Sequence, residues 1–156
     1  MTRVDYFSDP AAPAANSIVV AVTVFILDAD RRVLLIRRTD NDLWALPGGA
    51  QEIGESIAET AMRETREETG VDIEVTGIVG VYSNPRHVVA FSDGEVRQQF
   101  SICFRASPVG GQPTSSDESR EVRWVGADDL GALSIHPSMH LRIHHGYADS
   151  AEPYIG

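Results

Sequence analysis

Glu64, Glu67 and Glu68 lie three and four residues apart on a segment that the sequence predicts to be helical, a spacing that makes their carboxylates neighbours on the helix surface. The start of the helix is set by Ser56-Ile-Ala-Glu59, which has the form of a capping box, and its end by Gly70, a natural C-cap, so a helix is expected over Ile57 to Thr69. Three carboxylates this close repel one another unless a cation stands among them. Arg63 can supply one charge, through a guanidinium that forks onto Glu67 or Glu64. A divalent cation can supply more, and hard oxygen ligands suit Mg²⁺ or Mn²⁺. Ala58, Ala61, Met62 and Thr65 form the expected core-facing stripe, with the three glutamates off it.

The glutamates belong to a longer pattern. Gly49 to Val71 reads GAQEIGESIAETAMRETREETGV: glycine, five residues, Glu55, seven residues, Arg63-Glu64, then Glu67-Glu68, Gly70 and an aliphatic residue. This order and spacing resembles the signature box of the Nudix hydrolases (MutT-like). The resemblance implies an α/β/α sandwich with a mixed central β-sheet, and a metal-dependent enzyme cleaving a diphosphate linked to another moiety. It also implies a backbone carbonyl from Gly48 or Gly49 at the metal, Glu55 near it, and a fourth carboxylate on a downstream loop. Glu118, with Asp117 beside it, stands at a suitable place ahead of Trp124. The general base is then one of the box glutamates or Glu118. Thr65 departs from the pattern, replacing a bulky aliphatic residue; its hydroxyl is expected to bond a backbone carbonyl one turn back.

Substrate contacts are less sharply marked. Arg37 and Arg38 end a strand just before the box, and alternation sends at most one of them into the cleft as a phosphate fork. Arg86, in the Ser83-Asn-Pro-Arg-His87 turn, and Arg97 are weaker candidates. Pro85 lies where ADP-ribose-cleaving members of the family place a proline. The substrate implied is a small nucleotide, of the ADP-ribose or nucleotide-sugar type. Two alternatives are a nucleoside triphosphate pyrophosphohydrolase and a silent Nudix-fold binding module, the latter disfavoured by the complete set of box glutamates. His136, His140 and His144 recur every four residues, yet without a nearby carboxylate or cysteine they read as a polar helix face rather than a zinc site.

The whole chain is consistent with such an enzyme. Its 156 residues suffice for one core, and the net charge of −10 argues against dedicated nucleic-acid or anionic-membrane binding. Polyanionic phosphates approach so acidic a protein only where cations bridge the two. All 13 basic residues are arginine. Cys103 is alone, which excludes an internal disulfide and points to a cytoplasmic setting; no apolar segment reaches membrane-spanning length. No dinucleotide-binding glycine pattern follows a strand, so no organic cofactor is expected. The composition leaves a homodimer open.

The elements needed to hold the box in place can be read along the chain. Residues 1–16 are expected to form an extended arm, 17–147 the Nudix domain and 148–156 a tail. Ile18 to Leu27 is a β-branched run that reads as a strand buried on both faces, with Val33 to Arg37 as its partner across an Asp28–Arg31 turn. Val71 to Tyr82 reads as a strand with bends at Gly77 and Gly80. His87 to Phe91 and Glu95 to Arg105 flank a Ser92-Asp93-Gly94 hairpin turn, the second arm burying Phe100, Ile102 and Phe104 on one face. Pro108 to Ser119 reads as a loop, Glu121 to Val125 as a strand, and Ala127 to Leu133 and Pro137 to His145 as helices, the last with proline in its first turn.

Overall fold

The computed structural model describes residues 2–156. A β-branched run makes β2 (Ser17–Ile26), which with β1 (Arg3–Phe7), β3 (Val33–Arg38), β4 (Trp44–Ala45) and β5 (Gly48–Ala50) precedes the box helix α1 (Ile57–Thr69). After it come β6 (Val71–Tyr82), β7 (His87–Phe91), β8 (Val96–Gly111), β9 (Ser119–Val125), a 3₁₀ turn at Ala127–Ala132, α2 (Pro137–Ala148) and β10 (Tyr154–Ile155). Among the described residues no helix is long and apolar enough to cross a membrane.

Strand β8 organises the main sheet, in the order β1-β7-β8-β2-β5. Its 16 residues run parallel to β2 on one edge and antiparallel to β7 and then β6 on the other, while β10 adds to β6 in parallel. Two of the three register shifts in the β6–β8 ladder fall between Val75 and Gly77 and between Ile78 and Gly80, at the two glycines marked in the sequence as bends; the third lies between Asp72 and Ile73. A smaller antiparallel sheet, β4-β3-β9, stands apart.

Both faces of the main sheet are covered. Val22, Val24 and Ile26 of β2 pack with Ala61 of α1, Val71, Ile73 and Phe104. Phe25 points the other way, into a core with Leu35, Trp44, Leu46, Cys103 and Ile143 of α2. Residues of β2 thus alternate between an α1 layer and an α2 layer, the mixed-sheet α/β/α sandwich expected from the sequence.

Six expectations need correction. Strand β2 is buried on both faces only from Val22 onward, with Ile18 63% and Val20 37% exposed. The strands at Ser17–Ile26 and Val33–Arg38 are not ladder partners: they meet only in the Leu27–Val33 bridge, because β3 leaves to pair with β9. In β8, Ser101 and Cys103 are as buried as Phe104, since the strand lies in the sandwich interior rather than at a solvated face. The strand also runs on to Gly111, shortening the polar loop, because pairing with β6 overrides local turn composition. On α1 the buried face is Thr60, Ala61, Thr65, Glu68 and Thr69, whereas Met62 is 41% exposed. The hydroxyl of Thr65 finds no partner; its neighbours Thr60 and Thr69 are the ones that bond carbonyls one turn back, at 3.1 and 2.6 Å.

Candidate metal centre and substrate cleft

The capping box forms as its residues predict. Glu59 N–H donates to Ser56 Oγ and Ser56 N–H to Glu59 Oε1, both at 3.1 Å, and Gly70 ends the helix at φ 75°. Between these stops, α1 lies against β5, which is held antiparallel to β2 by Ala21–Ala50, Val22–Gly49 and Thr23–Gly48 pairing. The close approach needs both glycines. A side chain at Gly48 would meet the Val22 carbonyl and Thr23 Cα, and one at Gly49 would meet the Glu64 carboxylate.

Glu68 is only 4% exposed, and its carboxylate accepts the Gly48 N–H at 3.0 Å. Burial pushes its pKa up to about 8, against the opposing hydrogen bond from Gly48, with the charge of Glu64 adding to the rise. Glu64, one turn earlier, has 13% of its side chain exposed; it is also raised by burial, although Arg63 Nη1 donates to it at 2.9 Å. Glu118 comes from the loop before β9, where Thr39 N–H donates to its backbone carbonyl. One oxygen each of Glu64, Glu68 and Glu118 can be chosen so that all lie within 4.8 Å of one another. Two of the three are carboxylates whose charge burial disfavours. Such a set of hard oxygens without a matching cation suits a divalent ion.

Arg63 contacts Glu64 and Glu67 as expected, but its fork falls on a third carboxylate. Its Nε and Nη2 donate to Glu55 at 2.6 and 2.9 Å, a full fork, and Nη1 turns to Glu64 and, at 3.3 Å, to Glu67. Glu55 also receives the Glu52 N–H and the Thr60 hydroxyl, and its pKa falls to about 2, chiefly through the Arg63 hydrogen bonds. Glu55 lies outside the three-carboxylate cluster, and so does Glu67, whose side chain is 60% exposed. Gly48 reaches the site through its N–H.

Of the arginines, Arg38 reaches the site. It forks onto Asp40 at 2.9 and 2.7 Å and, with Ile36, Thr39, Glu68 and Glu118, lines a cavity of about 320 Å³. Arg37 turns to the opposite face and bonds Asp42 and Glu121 at 2.7 and 2.9 Å. Arg86 lies by the 8–15 segment, remote from the carboxylates. Arg97 bonds Glu95 and stacks over Phe91 with its guanidinium carbon 4.6 Å from the ring centre.

Arg38, Arg97, Gly48 and Gly49 also line a second cleft, and apart from His136, noted in the sequence only as part of a helix face, this one draws on residues that the sequence did not single out. Its lining includes Arg3 and Asp5 of β1, His87 of β7, and His136, Ser138 and Arg142 at the start of α2. His87 and His136 stack with ring centres 5.6 Å apart, and Phe7 packs edge-on against both. Asp5 bonds Arg3 at 3.0 Å and His87 at 3.4 Å. Reading the first residues as an arm hid Arg3 and Asp5; an arginine between Leu141 and Ile143 was the available signal for Arg142. His140 and His144 are exposed on α2, and among the described residues no histidine belongs to a metal-sized cluster.

Fold and site together define an α/β/α chain with an acidic helix facing a glycine-bearing strand, and comparison with known proteins places it. The NUDIX domain family matches residues 18–145. A MutT-like protein of Streptomyces ambofaciens is 38% identical over 129 residues, covering 80% of this chain and 75% of the relative. An ADP-ribose pyrophosphatase of Methanocaldococcus jannaschii is 34% identical over 113 residues, covering 70% of this chain and 63% of the relative. A NUDIX hydrolase structure from Nitrosomonas europaea superposes with a TM-score of 0.72 at 22% identity, covering 90% of this chain and 78% of that one. The chain belongs to the Nudix family. It is a hydrolase acting on phosphorus-containing anhydrides.

Proposed function

We propose that the chain hydrolyses the diphosphate of a nucleoside diphosphate derivative, of the ADP-ribose or nucleotide-sugar type, with Mg²⁺ held by Glu64, Glu68 and Glu118. The observation that carries this reading is the convergence of those three carboxylates beside an arginine-lined cleft. The name of the Methanocaldococcus relative supports the substrate class. When bound, the cation neutralises phosphate oxygens and the leaving group.

The protein's own residues do the rest. Gly48 fixes Glu68 through its N–H, and the missing side chain of Gly49 lets Glu64 lie flat on β5. Arg63 orients Glu64 while clamped by Glu55, an outer support that keeps the ligand carboxylate in position. Glu67, on the solvent side of α1, offers a further carboxylate. Glu118 is exposed and so has direct access to water; it serves as general base. Water attacks one phosphorus, its proton passes to the Glu118 carboxylate, and the bridging P–O bond breaks to leave two phosphate monoesters.

The test is a substrate panel with Mg²⁺: ADP-ribose, nucleotide sugars and nucleoside triphosphates, reading nucleoside monophosphate release. The highest kcat/KM should fall on ADP-ribose or a nucleotide sugar. A tenfold preference for triphosphates, or no turnover of any member, would overturn the reading.

A further inference from the structure

Arg142 is a buried guanidinium, 2% exposed, for which no carboxylate partner exists among the described residues. Its Nη1 donates to the Ser138 carbonyl at 2.8 Å, one turn back on α2, and its guanidinium carbon lies 4.4 Å from the centre of the Tyr82 ring. Nε has no partner. A buried cation satisfied only by a carbonyl and a ring face is costly, and burial lowers its proton affinity. Such a group is normally paired, and one left without a partner calls for an explanation, of which a bound ligand is one.

The surroundings point the same way. Arg142 lines the cleft that begins at Gly48 and Gly49. Ser101 lines it too; it is fully buried, and its hydroxyl is also without a partner. So is the Nε of Arg3, whose Nη2 is occupied by Asp5. With the Thr23 hydroxyl, four unsatisfied hydrogen-bonding groups thus belong to residues around one cavity. Four guanidinium groups line it; those of Arg3, Arg38 and Arg97 are paired with Asp5, Asp40 and Glu95, which leaves Arg142 as the one without a carboxylate among the described residues. In a protein of net charge −10, a buried guanidinium without a countercharge at a cleft is a specific place for an anion.

We propose that Arg142, with the Ser101 hydroxyl and the Arg3 guanidinium, forms an anion site for a phosphoryl group, set apart from the carboxylate cluster. Resting on the hydrolase reading, it would receive a phosphate carried on the part of the substrate remote from the scissile diphosphate. Substrates with such an extra phosphate are then preferred over their unphosphorylated counterparts. Arginine suits the task because its planar donors match phosphate oxygens two at a time.

The site can be tested without turnover. In EDTA the carboxylate cluster repels anions, so inorganic phosphate has only the cationic cleft to bind. Thermal melts of wild type, Arg142→Met, Ser101→Ala and Glu68→Gln are compared in phosphate and in chloride of equal ionic strength. Wild type and Glu68→Gln should gain several degrees in phosphate, Arg142→Met should gain none, and Ser101→Ala, whose fold is untouched, should gain less. An equal gain in Ser101→Ala and Arg142→Met as in wild type, or no gain over chloride in wild type, would overturn the site. A chain that binds phosphate this way yet hydrolyses nothing overturns the hydrolase reading and leaves the site standing. The source of the phosphate is read from KM for ADP-ribose and for its 2′-phosphate. A KM at least tenfold lower for the phosphorylated member, lost in Arg142→Met, assigns the site to substrate. Equal KM values in wild type overturn that assignment and leave free phosphate as the ligand.

Discussion

Arg63 and Glu55, eight residues apart, form a two-point fork with distances of 2.6 and 2.9 Å, and this pair holds the third guanidinium nitrogen against Glu64. The arginine of the box is therefore anchored from the loop before the helix, not from the glutamate one turn along. Arg63→Gln should reduce kcat/KM by about 10–100-fold, the usual cost of removing an outer support of a ligand. Glu55→Gln should give a loss of the same kind, and the double variant should cost less than the sum. Steady-state kinetics on the four proteins checks this; strictly additive losses would mean that the two residues act separately.

The two glycines of β5 should fail differently. Gly48→Ala drives a Cβ into the backbone of β2, which cannot yield, so about 1–3 kcal/mol of stability should be lost. Gly49→Ala meets only the end of the Glu64 side chain, which can move. It should fold normally and lose most activity. Thermal melts beside turnover separate the two outcomes, and similar behaviour of both variants would contradict the packing described.

Glu118→Gln should lower turnover by more than tenfold with a melting temperature unchanged within a few degrees, because the side chain is exposed and carries no structural contact of its own among the described residues. An unchanged rate would return Glu118 to the status of a surface charge and turn attention to Asp117.

Glu118 also shows how far the sequence reached. The box is legible because its spacing is local: a capping box, a C-cap glycine and three carboxylates at helical offsets need no knowledge of the rest of the chain. Glu118 was named through the family resemblance, which implies a loop carboxylate downstream of the box, by counting back from Trp124. What stayed hidden depends on chain reversal. The departure of β3 to a second sheet, the fork from Glu55, and the placing of Arg3, His87 and Arg142 around one cleft all rest on long-range pairing. Glu68 was placed on the helix surface, yet α1 is turned so that this residue joins the buried face, and Met62 is the one left outside.

That burial has a pH signature. Glu68 has a folded pKa of about 8, above its unfolded value of 4.5, so the metal-free protein prefers it protonated. Its contribution to stability is present below pH 4.5 and declines as pH rises toward 8. The slope is on the order of 1 kcal/mol per pH unit at most. Metal-free melts should therefore show this component falling from pH 5 to pH 8, and Glu68→Gln should flatten it. Saturating Mg²⁺ should reverse it, since binding requires the ionised form and releases the proton. A Glu68→Gln variant with the wild-type slope would show that the group titrates normally.

The metal centre itself is tested most directly by titrating Mn²⁺ into wild type, Glu68→Gln and Glu118→Gln and reading free ion by electron paramagnetic resonance. Carboxylates that converge to within 4.8 Å should act as one site, so each substitution should weaken binding by at least tenfold. Wild-type affinity in both variants would contradict a cation held by Glu64, Glu68 and Glu118, and with it the proposed chemistry of the cleft.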